Sequence, residues 1–143
     1  MTRRFNQNIK RIEQLLCNRF DDISKRTETL LFFKSHLEAN LKFPIHITGI
    51  EDFDWEEFYL LGPGSKKEYE ILKQTRPSYT DIFNMIRIDP YFDEDYGLFA
   101  KVTRLSDKKR FQLPLADMKA VDKKSPEYDL LQDYSIWFIN YQY

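Results

Sequence analysis

A single cysteine, Cys17, rules out an internal disulfide, and a chain free of cross-links is expected in a reducing cytoplasm. Cys17 stands beside Leu16 and reads as a small buried or boundary residue, because a reactive thiol needs a cationic, exposed setting. Histidine is almost as scarce. His36 and His46 lack cysteine partners and His-Glu-x-x-His spacing, so a transition-metal centre has little to draw on. The four glycines form neither a dinucleotide-binding pattern nor a phosphate loop, and no Gly-x-Ser-x-Gly elbow is present. Paired carboxylates are plentiful, but glycoside hydrolysis also needs a sizeable sugar cleft, which a small domain rarely supplies. The chain is therefore expected not to be an enzyme.

Long apolar runs and a charge of one sign are missing too. No stretch approaches the roughly 18 apolar residues of a membrane span, and the basic start of the chain leads into charged, helix-like sequence rather than the apolar core of an export signal. Lys and Arg number 22 against 23 Asp and Glu, a net charge of −1. That balance speaks against a general nucleic-acid binder, which needs a basic excess on some face. Neither a membrane nor a nucleic-acid partner is expected.

What is present is 143 residues with 42% apolar and 16% aromatic content, enough for one ring-rich core. The whole chain, 1–143, reads as a single domain. Phe5, Ile9, Ile12, Leu16, Phe20 and Ile23 step by three and four, as one helical face does. Asp21, Asp22 and Ser24 either end or interrupt that helix, so residues 5–41 hold one helix or two. A second pattern, Leu30, Phe33, Leu37 and Leu41, stops at Phe43-Pro44, closing a helical region over 1–41. Ile45, Ile47 and Ile50 suggest a strand. Residues 51–57 read as a solvated acidic edge with Phe53 and Trp55 turned inward. Gly62-Pro63-Gly64 is a turn, and Ser65 with Glu68 predicts a capped helix. Residues 81–88 fit a strand or a helical turn.

Residues 93–122 hold the clearest strand signal. Leu98, Ala100 and Val102 alternate with Lys101 and Thr103, a polar turn follows at 106–109, and Phe111, Leu113 and Leu115 then share a face. A short strand around Met118 to Val121 completes an expected three-strand meander. Leu130, Leu131, Tyr134, Trp137, Phe138 and Tyr141 predict an aromatic C-terminal helix. The expected class is α+β, a small antiparallel sheet able to curl into an SH3-like barrel, flanked by these helices.

Between residues 89 and 95 lie four carboxylates, Asp89, Asp93, Glu94 and Asp95, with no basic residue among them. A hard cation takes about six to eight oxygen ligands, and closely spaced acids before a strand supply several of them. Asp122, Glu127, Asp129 and Asp133 form a looser second group. Neither has the spacing of an EF-hand loop, and a solvated acidic loop remains the alternative.

The segments LEANLKFPI (37–45), DEDYGL (93–98), FQLPLADMKAVD (111–122), SPEY (125–128) and DYSIWFIN (133–140) resemble, in this order, the small bacterial calcium-binding proteins of the CcbP type. The resemblance implies a small cytoplasmic Ca²⁺-binding protein, a buffer or sensor, with a compact strand core between helices. It carries the ligand role onto Asp93, Glu94 and Asp95, and onto Asp122. It also marks 52–92 as an insert where shorter relatives have a compact loop, with 93–143 as meander plus helix. The expected site is thus Asp93, Glu94, Asp95, Asp89 and Asp122 around Ca²⁺, at an affinity on the order of 10⁻⁶ to 10⁻⁴ M. The competing expectation is a metal-free module that holds a protein partner through the aromatic residues Trp55, Phe58 and Tyr59.

Overall fold

The computed structural model describes residues 3–142. Helix α1, Arg3–Leu16, buries Ile12 and Leu16. The chain leaves the helix there, as the amides of Arg19 and Phe20 both turn back onto the Leu16 carbonyl. Phe20 and Ile23 still pack against the core, so the periodic pattern over 5–23 marks a buried face that outlasts its helix. Asp22 accepts from the Ser24 amide at 3.0 Å, an Asx turn that separates α1 from α2, Thr27–Asn40. Residues 5–41 therefore hold two helices. Cys17 lies in the turn after α1 and is exposed, not buried.

Five strands follow: β1 (Ile45–Gly49), β2 (Phe83–Asp93), β3 (Gly97–Arg104), β4 (Arg110–Pro114) and β5 (Met118–Ala120). They pair antiparallel in the order β4-β3-β2-β1-β5. This confirms the α+β class and corrects two expectations. The meander is β2-β3-β4, since a 3-10 turn at Leu115–Asp117 carries the chain away from β4 and lays β5 against β1, with Ile47 opposite Ala120. The sheet is also open, its edges β4 and β5 lying at opposite ends, so it is not an SH3-like barrel. The segment 52–92 ends in β2, the middle strand, whose Phe83, Met85 and Ile88 are buried. That part is core rather than appendage.

One face of the sheet carries Leu98, Ala100 and Val102 of β3 into a core shared with α1, α2 and α5 (Pro126–Asn140). Phe33 of α2 stacks on Trp137 of α5 at 5.0 Å between ring centres and meets Tyr134 edge-on at 5.3 Å. These ring contacts, each worth about 1 kcal/mol beyond area burial, lock α2 to α5. Helix α5 starts where Ser125 accepts the Tyr128 amide, with Pro126 in the first turn.

Between β1 and β2 two short helices form a hairpin, α3 (Asp54–Leu60) and α4 (Lys66–Leu72). The acidic segment 51–57 is thus partly helical rather than an edge. Phe53 does pack on the core, and Trp55 is half-buried, its indole N–H donating to the Pro77 carbonyl at 2.6 Å. Glu56 is fully buried. Ser65 caps α4 by accepting the Glu68 amide at 3.1 Å, while the Glu68 carboxylate takes the Tyr59 hydroxyl instead of closing a capping box.

Candidate metal centre

The β2–β3 turn gathers the three consecutive carboxylates. Asp93 is paired across the ladder with Gly97, which has φ 74°, a conformation glycine adopts without steric cost. Its Oδ1 accepts the Tyr96 amide at 2.6 Å and its Oδ2 the Tyr91 hydroxyl at 3.0 Å. The Asp93 hydrogen bond, then its charge, and more weakly Asp95, push the Tyr91 phenol up. Gly97 also lies where a Cβ would overlap the Tyr134 hydroxyl and the Phe138 ring. Gly97→Ala should therefore cost about 2 kcal/mol or more, from strain and overpacking together. Urea denaturation should show a lower midpoint at unchanged slope; an unchanged midpoint would mean the turn tolerates a side chain.

Glu94 is tied to α2. Its Oε2 accepts from the Thr27 amide at 2.8 Å and the Thr27 hydroxyl at 2.9 Å, satisfying a free donor at the start of α2 where the helix dipole favours an anion. The Lys25 ammonium donates to the Glu94 carbonyl at 2.8 Å and sits 4.6 Å from the Phe138 ring centre. Asp95 is exposed and has no hydrogen-bond or ion-pair partner among the described residues.

The other two expected ligands lie elsewhere. Asp89 is buried in the irregular stretch of β2 between Ile88 and Phe92. Its oxygens accept the Tyr91 amide at 2.9 Å and the Gln112 side-chain amide at 2.8 Å, with Lys101 Nζ at 3.7 Å. Asp122 follows β5, where Oδ1 accepts the Lys124 amide at 3.0 Å. β5 pairs with Ile47, Thr48 and Gly49 of β1, and β1 meets β2 only from Phe83 to Met85, whereas Asp93 lies well beyond that register. Met85 faces Val102 and Asp93 faces Gly97, a separation of about 17 Å along β3 at ~3.4 Å per residue. Asp122 is thus held far from the turn.

The donor chemistry of Asp93, Glu94 and Asp95 suits a hard cation, being all oxygen. Their positions fit one only in part. Asp93 is held in place with lone pairs to spare, Asp95 is free, and Glu94 is committed to α2. Among the described residues no three acidic, histidine or cysteine side chains are gathered as a metal needs.

A second acidic grouping escaped the sequence reading. The Ile50 amide donates to the Asp117 carbonyl at 2.9 Å, bringing the 3-10 turn beside the β1–α3 loop. Desolvation of its carboxyl, then the charges of Asp54 and Glu51, push Asp117 up, although the residue as a whole is exposed. Asp117 stands far from Glu51 in the chain, so only the β1–β5 pairing could have signalled it. The aromatic residues of the α3–α4 hairpin largely satisfy one another: Trp55 and Tyr59 both pack on Tyr69, at 5.6 and 5.8 Å, leaving Phe58 and Leu61 outside.

No protein-family model matches this chain, and no curated protein matches its sequence. Two solved structures share its fold. One, described as the crystal structure of Anabaena CcbP, aligns with a TM-score of 0.57 at 15% identity, covering 96% of this chain and 93% of its own. The other, described as a calcium-binding protein in the calcium-binding form, aligns with a TM-score of 0.55 at 15% identity, covering 97% and 96%. The likeness to the CcbP-type fold thus spans nearly the whole chain.

Proposed function

We propose that this protein is a Ca²⁺-binding protein whose site is the β2–β3 turn, with Asp93 and Asp95 as the carboxylate ligands. The observation that supports it most is the pairing of a fold shared with structures described as CcbP and as a calcium-binding protein with a tight turn of adjacent acids, one of them uncommitted. Backbone carbonyls and water complete the shell, because Ca²⁺ accepts about six to eight oxygens in flexible geometry. Mg²⁺ competes poorly, since it demands near-octahedral ligands and gives up water reluctantly.

Two features weaken the site. Glu94 must leave the start of α2 to join it, and Lys25 occupies the Glu94 carbonyl. The affinity is accordingly set lower than the acid count alone suggests, at about 10⁻⁴ to 10⁻³ M. Such a site responds to large Ca²⁺ excursions and is a poor tight buffer.

Calorimetry on metal-stripped protein tests this, read beside a thermal shift, because a ligand that binds only the folded state raises its stability. Asp93→Asn with Asp95→Asn should abolish the heat while the protein stays folded, since an Asn oxygen can still accept from Tyr96. Lys25→Met should tighten binding several-fold by freeing the carbonyl. Neither heat nor shift at millimolar Ca²⁺ would end the calcium reading. Heat that survives in the Asn variant would move the site elsewhere, with Asp117, Asp54 and Glu51 the first place to look.

A further inference from the structure

The sheet has one face under helices and one open face, and the open face is chemically uneven. On β3, Phe99, Lys101 and Thr103 point away from the core residues Leu98, Ala100 and Val102. The ladder extends this surface sideways. Lys101 lies between Arg87 and Gln112, and Thr103 between Asn84 and Arg110. Over these three strands runs an open concavity of about 520 Å³, lined by Arg87, Lys101 and Arg110. Asp89 is the carboxylate that lines it, and it is already engaged by Gln112 and Lys101. The side chains of Arg87 and Arg110 have no ion-pair or hydrogen-bond partner among the described residues. In a chain whose net charge is −1, this face concentrates positive charge.

An aromatic cluster adjoins the groove. Phe99, two positions before Lys101 on the same face, is stacked by Tyr91 at 5.9 Å with 30° between planes, and Tyr96 leans on it at 6.3 Å. Tyr91 and Tyr96 are 59% and 56% exposed, so neither is part of the core. Asp93 holds the Tyr91 hydroxyl, and phosphates are repelled from that end. Rings at one end and cations at the other suit a ligand that offers both flat apolar faces and regularly spaced phosphates.

We propose that this open sheet face binds a short single-stranded nucleic acid, its bases stacking on Tyr91, Tyr96 and Phe99 and its phosphates lying along Arg87, Lys101 and Arg110. A duplex hides the base faces that such rings recognise, whereas single strands present them. The expectation of no nucleic-acid partner rested on the charge balance of the whole chain, which conceals how its cations are distributed.

Anisotropy of labelled oligo(dT) and oligo(U), titrated with the full chain in low salt and chelator, tests the proposal without Ca²⁺ and so independently of the calcium reading. Binding is expected at about 10⁻⁵ to 10⁻⁴ M, with log K falling against log salt at a slope of about −2 for three phosphates on a single strand. Arg87→Ala with Arg110→Ala should weaken binding at least tenfold and bring the slope to about −0.7. Tyr91→Ala and Tyr96→Ala should each weaken it about fivefold or more at unchanged slope, through lost stacking. Circular dichroism verifies that these exposed-site variants fold. Lys123→Ala with Lys124→Ala, before α5, should change nothing. Absence of binding at high micromolar protein overturns the proposal. So does affinity for heparin or duplex equal to that for single strands and indifferent to the tyrosines, which would make the face a generic polyanion exchanger.

Discussion

Replacing Arg104 with leucine is expected to destabilise the protein by about 3 kcal/mol, the cost of removing a buried guanidinium and leaving several of its hydrogen-bond acceptors unpaired. Arg104 is 3% exposed at the end of β3, and its five N–H groups make six contacts with acceptors, one N–H of Nη1 being shared. Two form a fork on Asp107, one reaches Asp81, and three go to the carbonyls of Lys73, Gln74 and Arg76 just after α4. The guanidinium thus ties the α3–α4 hairpin and the β3–β4 turn to the sheet, over the Phe111 ring at 5.1 Å. Leucine fills the space but satisfies none of these acceptors. Lysine keeps the charge without the planar fork, and Arg104→Lys should fall between wild type and leucine. Thermal unfolding should show a fall of about 10 °C for leucine; a fall of a degree or two would reduce the cluster to surface decoration.

The same cluster gives a pH signature. The Arg104 hydrogen bond, and then the Lys109 amide and nearby positive charge, hold the Asp107 carboxyl down at about 2. Its folded value lies below its unfolded one, so its contribution is fully present above about pH 4 and disappears as pH falls toward 2. The leucine variant should lose this part of the acid dependence.

Glu56→Leu is expected to be as costly, again about 3 kcal/mol or more, by orphaning several buried donors at once. The Glu56 carboxylate is fully buried, and no basic side chain pairs with it among the described residues. One oxygen accepts the Phe53 and Tyr79 amides at 3.1 and 2.9 Å, and the other the Tyr69 and Ser78 hydroxyls at 2.6 and 2.7 Å. Burial, and then its bond to Glu56, push the Tyr69 phenol up to about 12. Glu56→Gln should be milder, about 1–2 kcal/mol, because its one carbonyl oxygen can still take both backbone amides while the hydroxyls rotate to accept. Trp55, packed on Tyr69, and Trp137, in the main core, report separately. Fluorescence of the leucine variant carrying only Trp55 should red-shift before that of the variant carrying only Trp137. Simultaneous shifts would show that the hairpin and the core unfold as one unit.

Neither Arg104 nor Glu56 was legible in the sequence, and the reason is common to both. A charged residue reads as solvent-facing unless its partners are known, and apart from Asp107 and Phe53 these partners lie 13 to 31 residues away. Elements held by local forces were legible. α2, β3, β4 and α5 follow from the spacing of their apolar residues, and Ser65 marks a helix start. β2 was obscured because irregularities at Met85/Arg87 and Ile88/Phe92 break its alternation, with Pro90 inside. The placement of β5 beside β1 is a non-local pairing that no short window contains. Of the expected ligands, Asp93, Glu94 and Asp95 are brought together by adjacency alone. Asp89 and Asp122 needed the register, which separates them from the turn.

Ca²⁺ binding at the β2–β3 turn is read residue by residue when Ca²⁺ is titrated into metal-stripped, ¹⁵N-labelled protein and each backbone amide is followed by NMR. Saturable shifts centred on Asp93, Asp95 and Tyr96 are expected, with the Thr27 amide unmoved because Glu94 stays on α2, and no such shifts with equal Mg²⁺. Shifts centred on Glu51, Asp54 and Asp117, or none at millimolar Ca²⁺, would contradict binding at the turn.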